Sequence, residues 1–425
     1  MPKRDDFPDD KKYERKSTGF KNYKEAERWA LDHLDDLKRR WRGNEPLKDK
    51  LFSEAYEEYL KEQRALLASH EFTENKITRI ETTYKNHLKS FFGHRTLREI
   101  DKSLLDEYIA ERLTKGGIKG NAGGIEGDAR RKETRPSHYT VNRENSVLRG
   151  IFQLALTNRY ILQIPKIRYL SSNSVPRSHF DTDQWELIIE RLTSDVEQLK
   201  AKAHPLDQET YKARLMLKTL VQLIGYSGIR AGRESNQNLK WEHIKVVVQE
   251  KGKLARYPIA PAKNGTYNPD NIVHVEILVT HVKHQTKPRR NVVALPWIES
   301  PLRNWRAVTD FAKETDFVFA HQEASPNLKK GMEPGHPVKS LRKQFKEFLR
   351  ANKLLVDGNG KNRTLTSCRH SYATFRLTYT RITPMRLVTN MGTSIEMLNR
   401  TYSHLIPTDV AESLAEIPAN MKNGG

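Results

Sequence analysis

Three side chains of this sequence could together break a phosphodiester. Tyr402 lies in Asn399-Arg400-Thr401-Tyr402-Ser403-His404-Leu405, Arg230 closes Ser227-Gly228-Ile229-Arg230, and Arg369 stands in Ser367-Cys368-Arg369-His370. A tyrosine phenol has a pKa of about 10, so at neutral pH it attacks only when its proton is removed and its target is activated. A phosphodiester under attack gathers negative charge on its non-bridging oxygens. Guanidiniums, always charged and able to donate two parallel hydrogen bonds, match that charge. The departing oxygen needs a proton, which a placed lysine can give. No H-E-x-x-H, paired-cysteine or EF-hand pattern occurs, so the expectation is a reaction with no metal and no cofactor.

The whole chain fits a polyanionic partner. It carries a formal net charge of +21 over 425 residues, with 36% of them hydrophobic. Such an excess favours nucleic acid, and the length favours two or three domains. No run approaches the roughly 18 apolar residues of a membrane span, so no membrane partner is expected. Residues 1–10 lack the apolar stretch of a secretory signal. Cys368 is the only cysteine, which excludes an intrachain disulfide and a thiolate metal cluster. The expected setting is a reducing prokaryotic cytoplasm, in association with the nucleoid.

These residues need elements to hold them. Residues 11–42 read as a small basic module: a short strand and turn at 13–20, then a helix over 23–37 with Ala26, Trp29, Ala30, His33, Leu34 and Leu37 on one face. Residues 47–168 read as all-helical, with helices at 52–67, 73–92, 101–112 and 140–158. Ile77, Ile80, Tyr84, Leu88 and Phe91 form the inner face of the second. Leu148, Ile151, Phe152 and Ala155 form that of the last. Residues 115–135, rich in glycine and basic side chains, read as a loop that could lie along phosphates. Residues 171–177 read as a linker. A second globular unit begins at Phe180, where an apolar helix over 211–226 leads into Arg230. The period then changes to two at 244–248, 273–282 and 291–295, which predicts a three-stranded antiparallel sheet. Helical patterns resume from Val338. The fold class is mainly α with a small antiparallel β-sheet.

The C-terminal half resembles the tyrosine recombinases, the phage-type integrases. Ser227-Gly228-Ile229-Arg230 followed by Leu239-Lys240-Trp241-Glu242-His243-Ile244 resembles that family's first-arginine box. Leu365-Thr366-Ser367-Cys368-Arg369-His370-Ser371-Tyr372-Ala373-Thr374 resembles its second. Met391-Gly392-Thr393-Ser394 with Tyr402-Ser403-His404-Leu405 resembles its nucleophile box. The resemblance covers roughly residues 180–405 and extends weakly to 50–168. It implies a partial arm-type DNA-binding module at 1–45, a helical core DNA-binding domain at 46–170, a linker at 171–179 and a catalytic domain with a C-terminal tail at 180–425.

The same resemblance implies roles. Arg230 and Arg369 would clamp the scissile phosphate of double-stranded DNA, and Tyr402 would attack it to give a 3′-phosphotyrosyl link. Glu234 would orient the first arginine. The family's catalytic lysine sits at a hairpin tip, where Lys283 in His281-Val282-Lys283-His284 fits and Lys287 in Thr286-Lys287-Pro288-Arg289 is the rival. The sequence departs from the pattern at Thr366 and Thr393, where the family usually places histidine, or at the latter histidine or tryptophan. Glu234 also follows Arg230 by four positions instead of three. A threonine hydroxyl can donate a hydrogen bond to phosphate but is no base near neutral pH. His404 and water remain options for the proton of Tyr402. The implied function is site-specific DNA recombination by an integrase of a phage or mobile element. The implied assembly is a homotetramer on paired DNA sites, helped by DNA-bending proteins. The alternatives are a catalytically weakened DNA-binding protein of the same fold and a type IB topoisomerase.

Overall fold

The computed structural model describes residues 17–43, 49–68, 74–114, 135–171, 178–202, 204–259, 267–280, 289–323 and 333–402. The chain divides into two compact units, Met1–Asn173 and Ser174–Gly425.

The first unit is helical: α1 (Tyr23–Arg42), α2 (Phe52–Ala68), α3 (Glu74–Thr83), α4 (Lys89–Phe92), α5 (Lys102–Thr114) and α6 (His138–Thr157). A π turn, Tyr84–Leu88, joins α3 to α4. The core forms because α2, α3, α5 and α6 each present apolar residues at helical spacing. Phe52, Leu88, Phe92, Leu148, Ile151, Phe152 and Ala155 are all fully buried in it. Tyr56 and Tyr84 stack with ring centroids 3.4 Å apart. Phe92 fills the place expected for Phe91, which packs only partly buried against this core; the π turn Tyr84–Leu88 just before them shifts the helical register by an added residue. A polar group is buried among these side chains. Glu144 on α6 accepts from Arg112 Nε at 2.8 Å, from Arg112 Nη2 at 2.6 Å and from Tyr108 Oη at 2.7 Å.

Residues 13–16 of the expected strand and turn lie outside the described residues, and Ser17–Phe20 contain no strand; the expected helix is present as α1 and runs on to Arg42. No residue of α1 is buried, and Ala30 and Leu34 are exposed. Its expected apolar face is therefore only partly covered. The ion pairs of Arg40 with Asp36 at 2.6 Å and Asp49 at 3.1 Å accompany it instead.

The second unit contains α7 (Thr182–Lys200), α8 (Pro205–Ser227), β1 (Ile244–Glu250), β2 (Lys253–Pro258), β3 (Ile272–Val279), β4 (Arg290–Ala294), α9 (Glu299–Arg306), α10 (Arg342–Ala351), α11 (Leu365–Tyr379), α12 (Pro384–Met391) and α13 (Ile395–Tyr402). The sheet has four antiparallel strands in the order β2-β1-β3-β4, one more than expected. The added strand, β2, is an edge whose residues are half-buried or exposed, so hydrophobic alternation does not reveal it. It is made by its turn: Lys251 and Gly252 have φ of 46° and 79°, the positive pair of a type I′ hairpin. Strand β3 ends at Val279. In the core, α8 runs among α7, α9 and α11 and packs on the sheet through Leu220, Val221 and Ile224. The opposite edge, β4, is covered. Val293 N–H donates to Asn390 Oδ1 at 2.8 Å, Asn390 Nδ2 donates to Val293 O at 3.0 Å, and Leu295 N–H donates to Tyr226 O at 2.9 Å. No helix among the described residues is long and apolar enough to cross a membrane.

Candidate active site

The site is built on the turn that ends α8. Gly228 has φ +70°, and a Cβ there would stand 2.5 Å from the Tyr372 ring, so no side chain fits. This lets the turn lie against α11. Arg369, about one helical turn from the start of α11, is buried, and its Nη1 donates to Gly228 O. Arg230 stands two residues after Gly228, so the turn that Arg369 contacts also carries the first arginine.

Glu234 organises the other end of Arg230. Its carboxylate is almost wholly buried. Oε2 accepts from the Arg230 backbone N–H at 3.0 Å, and Oε1 accepts from Arg230 Nη1 at 2.5 Å. Arg230 Nη2 donates to Gly392 O at 2.7 Å. The Arg230 side chain keeps 33% of its exposure, so the cation is anchored without being sealed. The spacing of four residues between Arg230 and Glu234 is accommodated because the carboxylate folds back onto its own turn.

Gly392 ends α12 in the left-handed conformation, φ +64°, with its N–H bonded to Thr389 O and Val388 O. Thr393 follows, half-buried, with its N–H on Val388 O at 3.0 Å. Ser394 Oγ then accepts from Met397 N–H at 3.2 Å and starts α13, whose last residue is Tyr402. One short turn therefore carries an arginine contact, Thr393 and the helix that ends in Tyr402. Thr366 lies in the first turn of α11, half-buried, behind the Thr364 cap. Beside Arg369, burial pushes the Cys368 thiol pKa far up, which makes it an inert core group. Lys283, Lys287, His404 and the tail at 410–417 lie outside the described residues, as does most of the basic loop at 115–135.

One member of this cluster is not among the residues that the sequence singles out. Arg290, the first residue of β4, donates from Nη2 to Glu234 Oε2 at 2.9 Å and to Met391 O at 3.1 Å. Glu234 thus serves two arginines. Burial pulls the Arg290 pKa below the ordinary arginine value; Glu234 opposes that shift and Arg230 adds to it. The only sequence signal was the basic pair Arg289-Arg290 at a strand start, which reads as solvated.

No family model matches the chain, and no curated protein matches it. Solved structures do. An XerH site-specific recombinase bound to its difH substrate is 16% identical, with a TM-score of 0.50, covering 87% of this chain and 96% of that one. The Tn1549 transposon integrase in complex with transposon right-end DNA is 14% identical, with a TM-score of 0.50 and coverage of 86% and 98%. A lambda integrase dimer bound to a COC′ core site is 14% identical, with a TM-score of 0.50 and coverage of 93% and 89%. The chain has the tyrosine-recombinase fold. Within this fold, Arg230 and Arg369 lie on elements brought together by one turn, and α13 begins three residues after the Gly392 carbonyl that holds Arg230.

Proposed function

We propose that this protein cuts and rejoins double-stranded DNA through a covalent 3′-phosphotyrosyl intermediate, as a site-specific recombinase of the integrase type. The observation that carries the reading is that Arg369 holds the turn carrying Arg230, while Arg230 is tied to the turn that leads into the Tyr402 helix. In this reading Arg230 and Arg369 hold the non-bridging oxygens. Tyr402 Oη loses its proton and bonds to phosphorus, while the bond from phosphorus to the 5′ oxygen breaks. Lys283 or Lys287 gives the proton that leaves a free 5′ hydroxyl. Glu234 holds Arg230, and Thr366 and Thr393 donate hydrogen bonds to the phosphate. Because the bond energy is kept in the phosphotyrosine, rejoining is the reversal of the same step. Phosphate contacts from lysine and arginine dominate affinity and make it fall with salt. Exchange between two sites calls for a homotetramer and fits movement of a phage or other mobile element.

A second reading, a DNA-binding protein of this fold with weakened catalysis, is favoured only by Thr366 and Thr393. One experiment separates them. The protein is incubated with a pool of nicked duplexes of randomised sequence, which release the cut fragment and trap the intermediate, and adducts are resolved on a denaturing gel. Wild type is expected to give a protein–DNA adduct and Tyr402→Phe none. DNA retention without any adduct would establish the second reading. An adduct surviving in Tyr402→Phe would overturn the choice of nucleophile.

A further inference from the structure

Arg290 has an arrangement that packing alone does not explain. Its side chain is only 15% exposed. Among the described residues, one nitrogen, Nη2, makes both of its hydrogen bonds, while Nε and Nη1 are buried without a partner. Burying donors of a charged group in this way is costly, and proteins rarely keep such a group without a use for it. The fold also makes room for it. A Cβ on Gly392 would stand 2.5 Å from Arg290 Nε, so Gly392 is required there by the guanidinium as well as by its own φ.

We propose that Arg290 is a positioning residue of the cleavage site, a third guanidinium that fixes Glu234 and the Met391–Gly392 turn and leaves the site with surplus positive charge. This rests on the cleavage reading above. The geometry has two consequences. Arg230 and Arg290 hold successive carbonyls, Gly392 O and Met391 O. The turn after α8 and the start of β4 are thereby pinned to one point at the root of the Tyr402 helix. Charge is the second consequence. Glu234 alone would neutralise Arg230; sharing it with Arg290 restores a net cation, to which Arg369 adds. Three guanidiniums against one carboxylate suit a phosphate whose negative charge grows during attack. Thr366 and Thr393 are neutral donors, so the additional cation comes from β4.

The test uses the full chain with Arg290→Met, Arg290→Gln and Arg290→Lys. A duplex recovered as a covalent adduct from the randomised pool serves as probe. Three quantities are measured: the single-turnover rate of adduct formation at saturating DNA, the DNA affinity and the melting temperature. Arg290→Met is expected to slow adduct formation about 100-fold while affinity changes by less than about threefold. Arg290→Lys should recover about tenfold of that loss and Arg290→Gln should not, since only lysine restores charge. A rate for Arg290→Met within about threefold of wild type overturns the inference. So does equal recovery by glutamine and lysine, a comparison that decides the matter even if the methionine variant fails to fold. No adduct with wild type would overturn the cleavage reading itself and this inference with it. A wild-type adduct with unchanged variants overturns this inference alone.

Discussion

In each unit a buried glutamate is held by arginine, Glu144 in the first and Glu234 in the second, and these two pairings differ in kind. In the first unit Glu144 meets a single cation, Arg112, through two parallel hydrogen bonds, and Tyr108 completes its coordination. Charge is balanced and both partners are almost fully buried. In the second unit Glu234 divides its two oxygens between Arg230 and Arg290. One of those cations stays a third exposed, and the other keeps two nitrogens without acceptors among the described residues. A closed pair of the first kind specifies packing. An unbalanced cluster of the second kind is what the proposed cleavage calls for, since it leaves positive charge for a phosphate. Burial and salt-bridge geometry look alike in both; the count of cations per carboxylate tells them apart.

The sharpest way to break this comparison is to remove each carboxylate's charge. Glu144→Gln leaves Arg112 buried without a counter-charge and should lower stability by about 3 kcal/mol, read as a lower urea midpoint. Glu234→Gln should slow single-turnover adduct formation by about 100-fold at nearly unchanged DNA affinity. If Glu144→Gln instead left the urea midpoint where it was, its pair would not be structural in the sense argued. A smaller effect sharpens the same point. Replacing the first network by apolar groups, as Tyr108→Phe, Arg112→Met and Glu144→Leu together, should cost no more than about 1 kcal/mol, because balanced buried pairs are often matched by hydrophobic packing. A loss as large as that of the single glutamine variant would contradict it.

The smallest expected effect is a pH dependence at the edge of the first network. His87 Nε2 lies 3.8 Å from Glu144 Oε1. Burial lowers the His87 pKa below its ordinary 6.5; Glu144 opposes the shift and Arg112 reinforces it. The folded state therefore prefers neutral imidazole. Its contribution is fully present above the unfolded value of 6.5 and is lost as pH falls below that value toward the folded pKa. Urea midpoints between pH 7.5 and 5.5 should fall more in wild type than in His87→Asn, and equal slopes would remove His87 from the account.

The sequence made some of this legible and hid the rest for definite reasons. Helices α2, α5, α6 and α8 were visible because their apolar residues repeat at helical spacing and end up in the cores. Arg230, Glu234, Arg369 and the Gly392-Thr393 step stood out because glycines and neighbouring boxes set them apart. Strand β2 was hidden because an edge strand held by its turn needs no apolar alternation. Arg290 was hidden because a basic residue at a strand start looks the same whether it faces water or lies buried beside a glycine 102 positions further on. Glu144 was hidden for a related reason: a lone carboxylate on a core-facing helix is identified only when its cation arrives from α5, 32 residues away.

The hold of Asn390 on Val293 carries a consequence for how the molecule behaves in company. A carboxamide offers the same donor and acceptor as a peptide unit, so one side chain of α12 ends the sheet as a further strand would. Without it the outward N–H and C=O of Val293, whose side chain is half exposed, would be open to any extended segment of another molecule. Asn390 thus closes an edge that would otherwise be open to pairing, two residues before Gly392.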